Sequence, residues 1–245
     1  MTMIVSVILV TLLSYIFSDY IKKYSLNLYL IFTVVSITAI VHAIYMLNNY
    51  SIVYIPVLKQ IMKSIDSGAL GGSFFILVMY MGVMDMRFKI SKKLRINRGE
   101  LSILATIITI PHNVHYFFAF ILGKMNISNY EGIPLWASLM MFAAGVFAIL
   151  IMIPLFITSF KFFRKKMTGK SWKNLQEYAY IFYAMVFIQV MMVYILKPSS
   201  IIRNINIVFY IIIFGSYTIQ KVKIIIFRNK QKNLKNNYKI NVNSE

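Results

Sequence analysis

The chain has 245 residues, is 59% hydrophobic and only 13% charged, and carries a formal net charge of +19. Soluble domains normally carry about 25% charged residues, so a water-soluble fold is excluded. Cysteine is absent, which rules out disulfides, thiolate metal sites, cysteine-ligated iron–sulfur clusters, covalent haem attachment and a cysteine nucleophile.

Several apolar runs reach the ~20 residues that cross a ~30 Å hydrocarbon core as helix. The sequence predicts an all-α polytopic transmembrane bundle, residues 1–220, with about seven spans. They cover roughly 3–18, 27–48, 68–86, 101–123, 134–160, 177–196 and 205–220. The first lacks a basic leader and a small-residue cleavage site, so it reads as a span and not as a secretory signal. Tyr50 to Lys63 has too few apolar residues to span, and reads as an outer interfacial or re-entrant helix. Residues 221–245 form a basic tail, expected to be disordered beyond about Arg228.

With these spans, 21 of the 26 Lys and Arg fall on one side; the exceptions are Lys59, Lys63, Lys124, Lys197 and Arg203. The positive-inside rule then puts the N-terminus outside and the C-terminus in the cytoplasm. This topology accounts for most of the basic charge, so nucleic-acid binding is not expected. Heavy Ile, Lys and Asn usage suggests an AT-rich bacterial genome, hence a multi-pass protein of the bacterial plasma membrane.

All three histidines, His42, His112 and His115, lie inside apolar stretches. At 1.5 Å per residue from the cytoplasmic ends, His112 is ~16 Å deep, His115 ~21 Å and His42 ~22 Å, with Gln189 at ~18 Å. Intramembrane ionisable groups are functional candidates, and imidazole is a good ligand for haem iron. A shared ligand at one level would explain the matched depths. The competing use is hydrogen bonding between helices.

His112 and His115, three apart, share a helical face just after Pro111, which tends to kink a helix and open space. Met185, Gln189 and Met192 share a face in the sixth span, and a thioether can also ligate haem. Gly68, Gly71 and Gly72 open the third span; small residues let helices, or a flat macrocycle, approach closely. Asp66 and Glu131 are expected at outer ends, with no carboxylate at mid-membrane depth, which disfavours a proton relay or small-solute transporter. Dinucleotide, phosphate-loop and HExxH motifs are absent.

Three elements stand out across residues 68–196. The first is the Gly-rich opening Gly68 to Gly72. The second is Arg98-Gly99-Glu100-Leu101, with His112 eleven residues beyond the Leu. The third is Trp172-Lys173-Asn174-Leu175-Gln176 after a basic loop, with Gln189 thirteen residues further on. Together they resemble the ferric reductase-like transmembrane domain family, which includes haem-b, quinol-linked subunits serving methionine sulfoxide reductase, and the membrane parts of ferric reductases and NADPH oxidases. It has histidine where this chain has Gln176 and Gln189, and only His112 matches a family haem ligand directly.

The resemblance implies a membrane subunit that binds haem b and transfers electrons, an oxidoreductase component without its own flavin or nicotinamide domain. His112 is then the principal iron ligand, with His42 or His115 second and Gln189 beside the cofactor; no catalytic residue is assigned. With about 25 residues after the last span, electrons would come from quinol or a separate reductase. The cytoplasmic basic loops could dock a protein partner or membrane lipid. The alternative is a haem-free scaffold or partner subunit of the same family.

Overall fold

The computed structural model describes residues 2–48, 53–123 and 135–242. Among these, all regular structure is helical: α1 (Thr2–Ile16), α2 (Ser18–Lys23), α3 (Ser25–Leu47), α4 (Pro56–Asp66), α5 (Ala69–Tyr80), α6 (Lys89–Arg95), α7 (Arg98–Ile121), α8 (Leu135–Ser159), α9 (Lys161–Arg164), α10 (Gly169–Glu177), α11 (Ala179–Leu196) and α12 (Ile201–Val242). Expectations for Lys124, Glu131 and residues 49–52 lie outside the described residues.

Among the described residues, five helical segments are long and apolar enough to cross a membrane: α3, α7, α8, α10 with α11, and α12. A sixth is obtained if α4 and α5, bent by 61° at their junction, count as one broken span. The apolar part of α1, Met3–Ile16, is shorter, so a count of seven needs this helix to cross as well. Its ladder continues past Phe17 into α2, through Phe17 N–H to Leu13 O (2.9 Å) and Ile21 N–H to Phe17 O (2.8 Å). The large apolar side chains on the outer surface, such as Leu30, Ile37, Phe147 and Ile212, suit a bundle whose solvent is lipid.

Helix α5 occupies the centre. Phe74 through Met79 are all buried, as expected of a helix that is apolar on every side. Its glycines set how closely the neighbours approach. A Cβ on Gly71 would overlap the Thr109 hydroxyl of α7, and one on Gly72 would stand 3.0 Å from the Met3 methyl of α1. The glycine-rich opening is thus used for helix packing. The segment expected to be interfacial or re-entrant is α4, started by Pro56 in its first turn, where a missing N–H costs nothing.

Pro111 lies inside α7 and deprives the Ile107 carbonyl of its helical donor. In lipid such a group must be satisfied from elsewhere. Ser36 of α3 donates its hydroxyl to Ile107 O at 2.8 Å, in buried surroundings. This bond clasps α3 onto α7 at the level of the proline.

The basic loops meet at one end of the bundle. Lys22 Nζ is 2.6 Å from Glu100 Oε1 and 3.1 Å from Ile96 O. The fully buried Asn97 donates to Ser18 O and Ser18 Oγ, each at 2.7 Å, and Ser18 Oγ donates to Lys93 O at 3.0 Å. The turn after α5 is closed by Arg87, whose side chain and backbone N–H grip Asp85; these bonds hold the Asp85 carboxyl below the usual carboxylate range. Lys221 of α12 donates to the Tyr180 hydroxyl of α11.

The tail departs from the disorder expected beyond Arg228. Helix α12 runs unbroken to Val242. The membrane segment has already nucleated the helix, so each further residue only propagates it. After Gly215 there is no Gly or Pro to stop it, and its Lys, Gln, Arg and Leu residues are good helix formers.

Ser36→Ala removes the donor for the Ile107 carbonyl and should lower the unfolding free energy in micelles by about 1 kcal/mol. Adding Pro111→Ala restores a backbone N–H, and should recover most of that loss in the same denaturant titration.

Candidate haem-ligand and carboxylate cluster

The break between α4 and α5 puts a carboxylate among the histidines. Gly68, with φ +71°, turns the chain there, in a left-handed conformation that L side chains adopt only under strain. Asp66, just before this turn, faces both α3 and α7. Its Oδ2 is 3.3 Å from His42 Nε2, and its backbone carbonyl is 2.7 Å from His112 Nδ1. His115 is near enough to share its electrostatic field. The carboxylate expected at an outer end therefore reaches the level of the imidazoles, because the chain bends inward where a straight span would have left it at the surface.

The three histidines differ in what their ring nitrogens do. His42, buried on α3, has both engaged: Nε2 faces Asp66, and Nδ1 is 3.0 Å from the Tyr54 hydroxyl. With Nε2 protonated, it donates to the carboxylate while the Tyr54 O–H donates to Nδ1. His112, half-buried on α7, uses only Nδ1. A carbonyl can only accept, so Nδ1 carries the proton and Nε2 keeps the lone pair. That Nε2 has no hydrogen-bond partner among the described residues. His115 has a buried Nδ1 without a hydrogen-bond partner among the described residues, as does Asp66 Oδ1.

The rings are held by contacts as well as by hydrogen bonds. The Tyr116 ring lies 4.7 Å from that of His112 and 5.3 Å from that of His115. A Cβ on Gly68 would come within 3.0 Å of the His112 ring, so glycine here serves both the turn and the imidazole beside it. The His112–Asp66 carbonyl bond is the arrangement that commonly fixes the tautomer of a metal-ligating histidine.

Haem needs an axial donor with a free lone pair. His112 fits this requirement. His42 does not, unless it gives up its contact with Asp66 or with Tyr54. His115 lies three residues along the same helix, on the same side as His112, a poor position for binding the opposite face of a macrocycle. Among the described residues no group of three His, Asp or Glu side chains could hold a bare metal ion. Gln189, expected beside the cofactor, lies on α11 with its amide seated against Gly145 of α8; a Cβ there would stand 2.9 Å from Gln189 Nε2. Gln176 lines a cavity at the basic end.

Sequence reasoning missed Asp66 and Tyr54 as members of this cluster. The available signal was the Asp66-Ser67-Gly68 step, a carboxylate next to a residue suited to a sharp turn. Asp66→Ala should destabilise the protein by about 1–3 kcal/mol through loss of the His42 contact. Tyr54→Phe should cost about 1 kcal/mol. A His42→Ala, Asp66→Ala double variant should fall well short of the sum of the singles, since both remove one interaction; additive losses would disprove the coupling.

A relative from Treponema pallidum (strain Nichols), described as an uncharacterized protein, is 30% identical over 130 residues. The match covers 51% of this chain and 35% of the relative, so the chain matches about a third of that protein's length. No solved structure matches the chain. The model of the family described as "Ferric reductase like transmembrane component" matches residues 67–187, a stretch that holds α5 through the first half of α11 and includes His112 and His115. Residues 67–187 of this multi-pass membrane protein belong to the ferric reductase like transmembrane component family.

Proposed function

We propose that the chain is the membrane subunit of an electron-transfer system and binds one b-type haem through His112. The observation that carries this reading is the 2.7 Å contact from His112 Nδ1 to the Asp66 carbonyl, which leaves Nε2 as a lone-pair donor. Bound haem would supply one-electron redox chemistry, for which the protein provides orientation and dielectric. The Asp66 carbonyl fixes the tautomer and ring plane of His112. Gly68 lets the ring lie against the chain, and the apolar wall of α5 keeps water away.

His42 and Asp66 take a supporting role in this reading. The carboxylate, held by His42, keeps the α4–α5 corner in place and with it the carbonyl that positions His112. The basic end is read as cytoplasmic by the positive-inside rule, in a bacterial plasma membrane. Electrons would arrive from quinol or a separate reductase, and the basic end could dock a protein partner.

A second reading, a haem-free scaffold or partner subunit, is favoured by one specific observation. His42 already forms a closed polar contact with Tyr54 and Asp66, and so behaves as interhelical glue.

Redox difference spectra of the full chain, expressed with added haem, separate the two. The haem reading expects a Soret band that is lost in His112→Ala and kept in His42→Ala and Gln189→Ala. Absence of the band, or its survival in His112→Ala, would leave the scaffold reading.

A further inference from the structure

A cavity of about 450 Å³ opens at the basic end, between α3, α7, α8, α10 and α11. Its α7 wall runs from Arg98 to Thr106, which lies six residues, ~9 Å, before His112; none of His42, Asp66, His112 and His115 lines it, so it is separate from the histidine cluster. Its deep wall is apolar, with Phe75, Ile103 and Met152, whereas its rim carries Lys22, Arg95, Arg98, Lys161 and Arg164. Glu100 is the one carboxylate among the lining residues, and Lys22 already pairs with it. Among the described residues, Arg95, Arg98, Lys161 and Arg164 have no carboxylate partner.

Two further features point to an anionic group at the rim. The Trp172 Nε1–H is buried and has no acceptor among the described residues, although its indole lies under the Arg164 guanidinium at 5.7 Å. A buried indole donor normally finds an acceptor. The first turn of α7, Arg98 to Glu100, also lines the cavity. Asn97 gives that turn no side-chain cap: its Nδ2 donates to Ser18, and its buried Oδ1 accepts from none of the described residues. The uncapped N–H groups and the helix dipole favour a negative charge there.

We infer that this cavity binds the phosphate headgroup of an anionic phospholipid, with the acyl chains along the apolar wall. Arg98 and Arg164 clamp the phosphate, Trp172 donates to one of its oxygens, and the α7 N–H groups face another. The chemistry recognised is a phosphate carrying an apolar body. A basic pocket between transmembrane helices at the headgroup level is a common setting for such a lipid. This inference does not depend on haem.

The test is native mass spectrometry of the full chain in neutral detergent, with phosphatidylglycerol or phosphatidylcholine added. One phosphatidylglycerol should be retained with roughly tenfold preference or more. Arg98→Gln and Arg164→Gln should each lower that preference several-fold, and Trp172→Phe by a smaller factor. The exposed pair Lys165→Gln, Lys170→Gln, outside the cavity, should leave it unchanged, as should His112→Ala. Equal retention of the two lipids overturns the inference, as does a preference that survives both arginine variants or falls equally in the Lys165/Lys170 control. Displacement of the lipid by millimolar inorganic phosphate would assign the site to free phosphate instead. If Arg98→Gln fails to elute as a single species, Arg164→Gln together with Trp172→Phe carries the test.

Discussion

A backbone carbonyl in hydrocarbon cannot be left without a donor, and the arrangement of this bundle around Ile107 follows from that constraint. Pro111 frees the carbonyl, and Ser36 answers it across the interface. With that contact made, α3 and α7 are locked in register at mid-helix. His42 lies six residues beyond Ser36, and His112 five beyond Ile107, so the clasp brings both imidazoles to the same side of the bundle at nearly the same height. The third partner arrives because α4 and α5 meet at a corner instead of a straight span.

The corner converts an ordinary helix terminus into two different tools. The Asp66 side chain serves α3 and its main chain serves α7. One residue therefore holds His42 as a structural group and His112 as a poised donor. Gly68 makes this division feasible, since its positive φ reverses the chain without a side chain that would strike the His112 ring. The same separation of roles recurs at the basic end, where Lys22 neutralises Glu100 while the neighbouring arginines have no carboxylate partner among the described residues.

Much of this was legible before any coordinates. Apolar run lengths indicated an all-helical membrane bundle, the imidazoles stood out as misplaced polarity, and the Arg98 and Trp172 motifs indicated the family. Helix boundaries for α7 and α8 fell within a few residues of expectation. Other features depended on tertiary contacts that periodicity does not encode. A span drawn straight through 68–86 hides both the early end of α5 at Tyr80 and the bend that turns Asp66 inward. The contact of the Gln189 amide with Gly145 of α8 is likewise one that depth along a helix does not give. Tyr54 sits between the apolar Val53 and Ile55, and its partner, His42, is twelve residues earlier on α3. The tail was misjudged by treating it as an isolated peptide, although it inherits a helix already started inside the lipid.

That inheritance has a mechanical result. Lys221 still bonds to α11 and Ile224 still packs on the core; from Ile225 to Val242 the rod extends ~26 Å further. A flexible polypeptide of this composition would spread its lysines through a diffuse cloud near the lipid surface. A stiff strut instead carries Arg228 and Lys230 outward at graded heights, so their positive charge is set out along a ruler and not in a blurred halo.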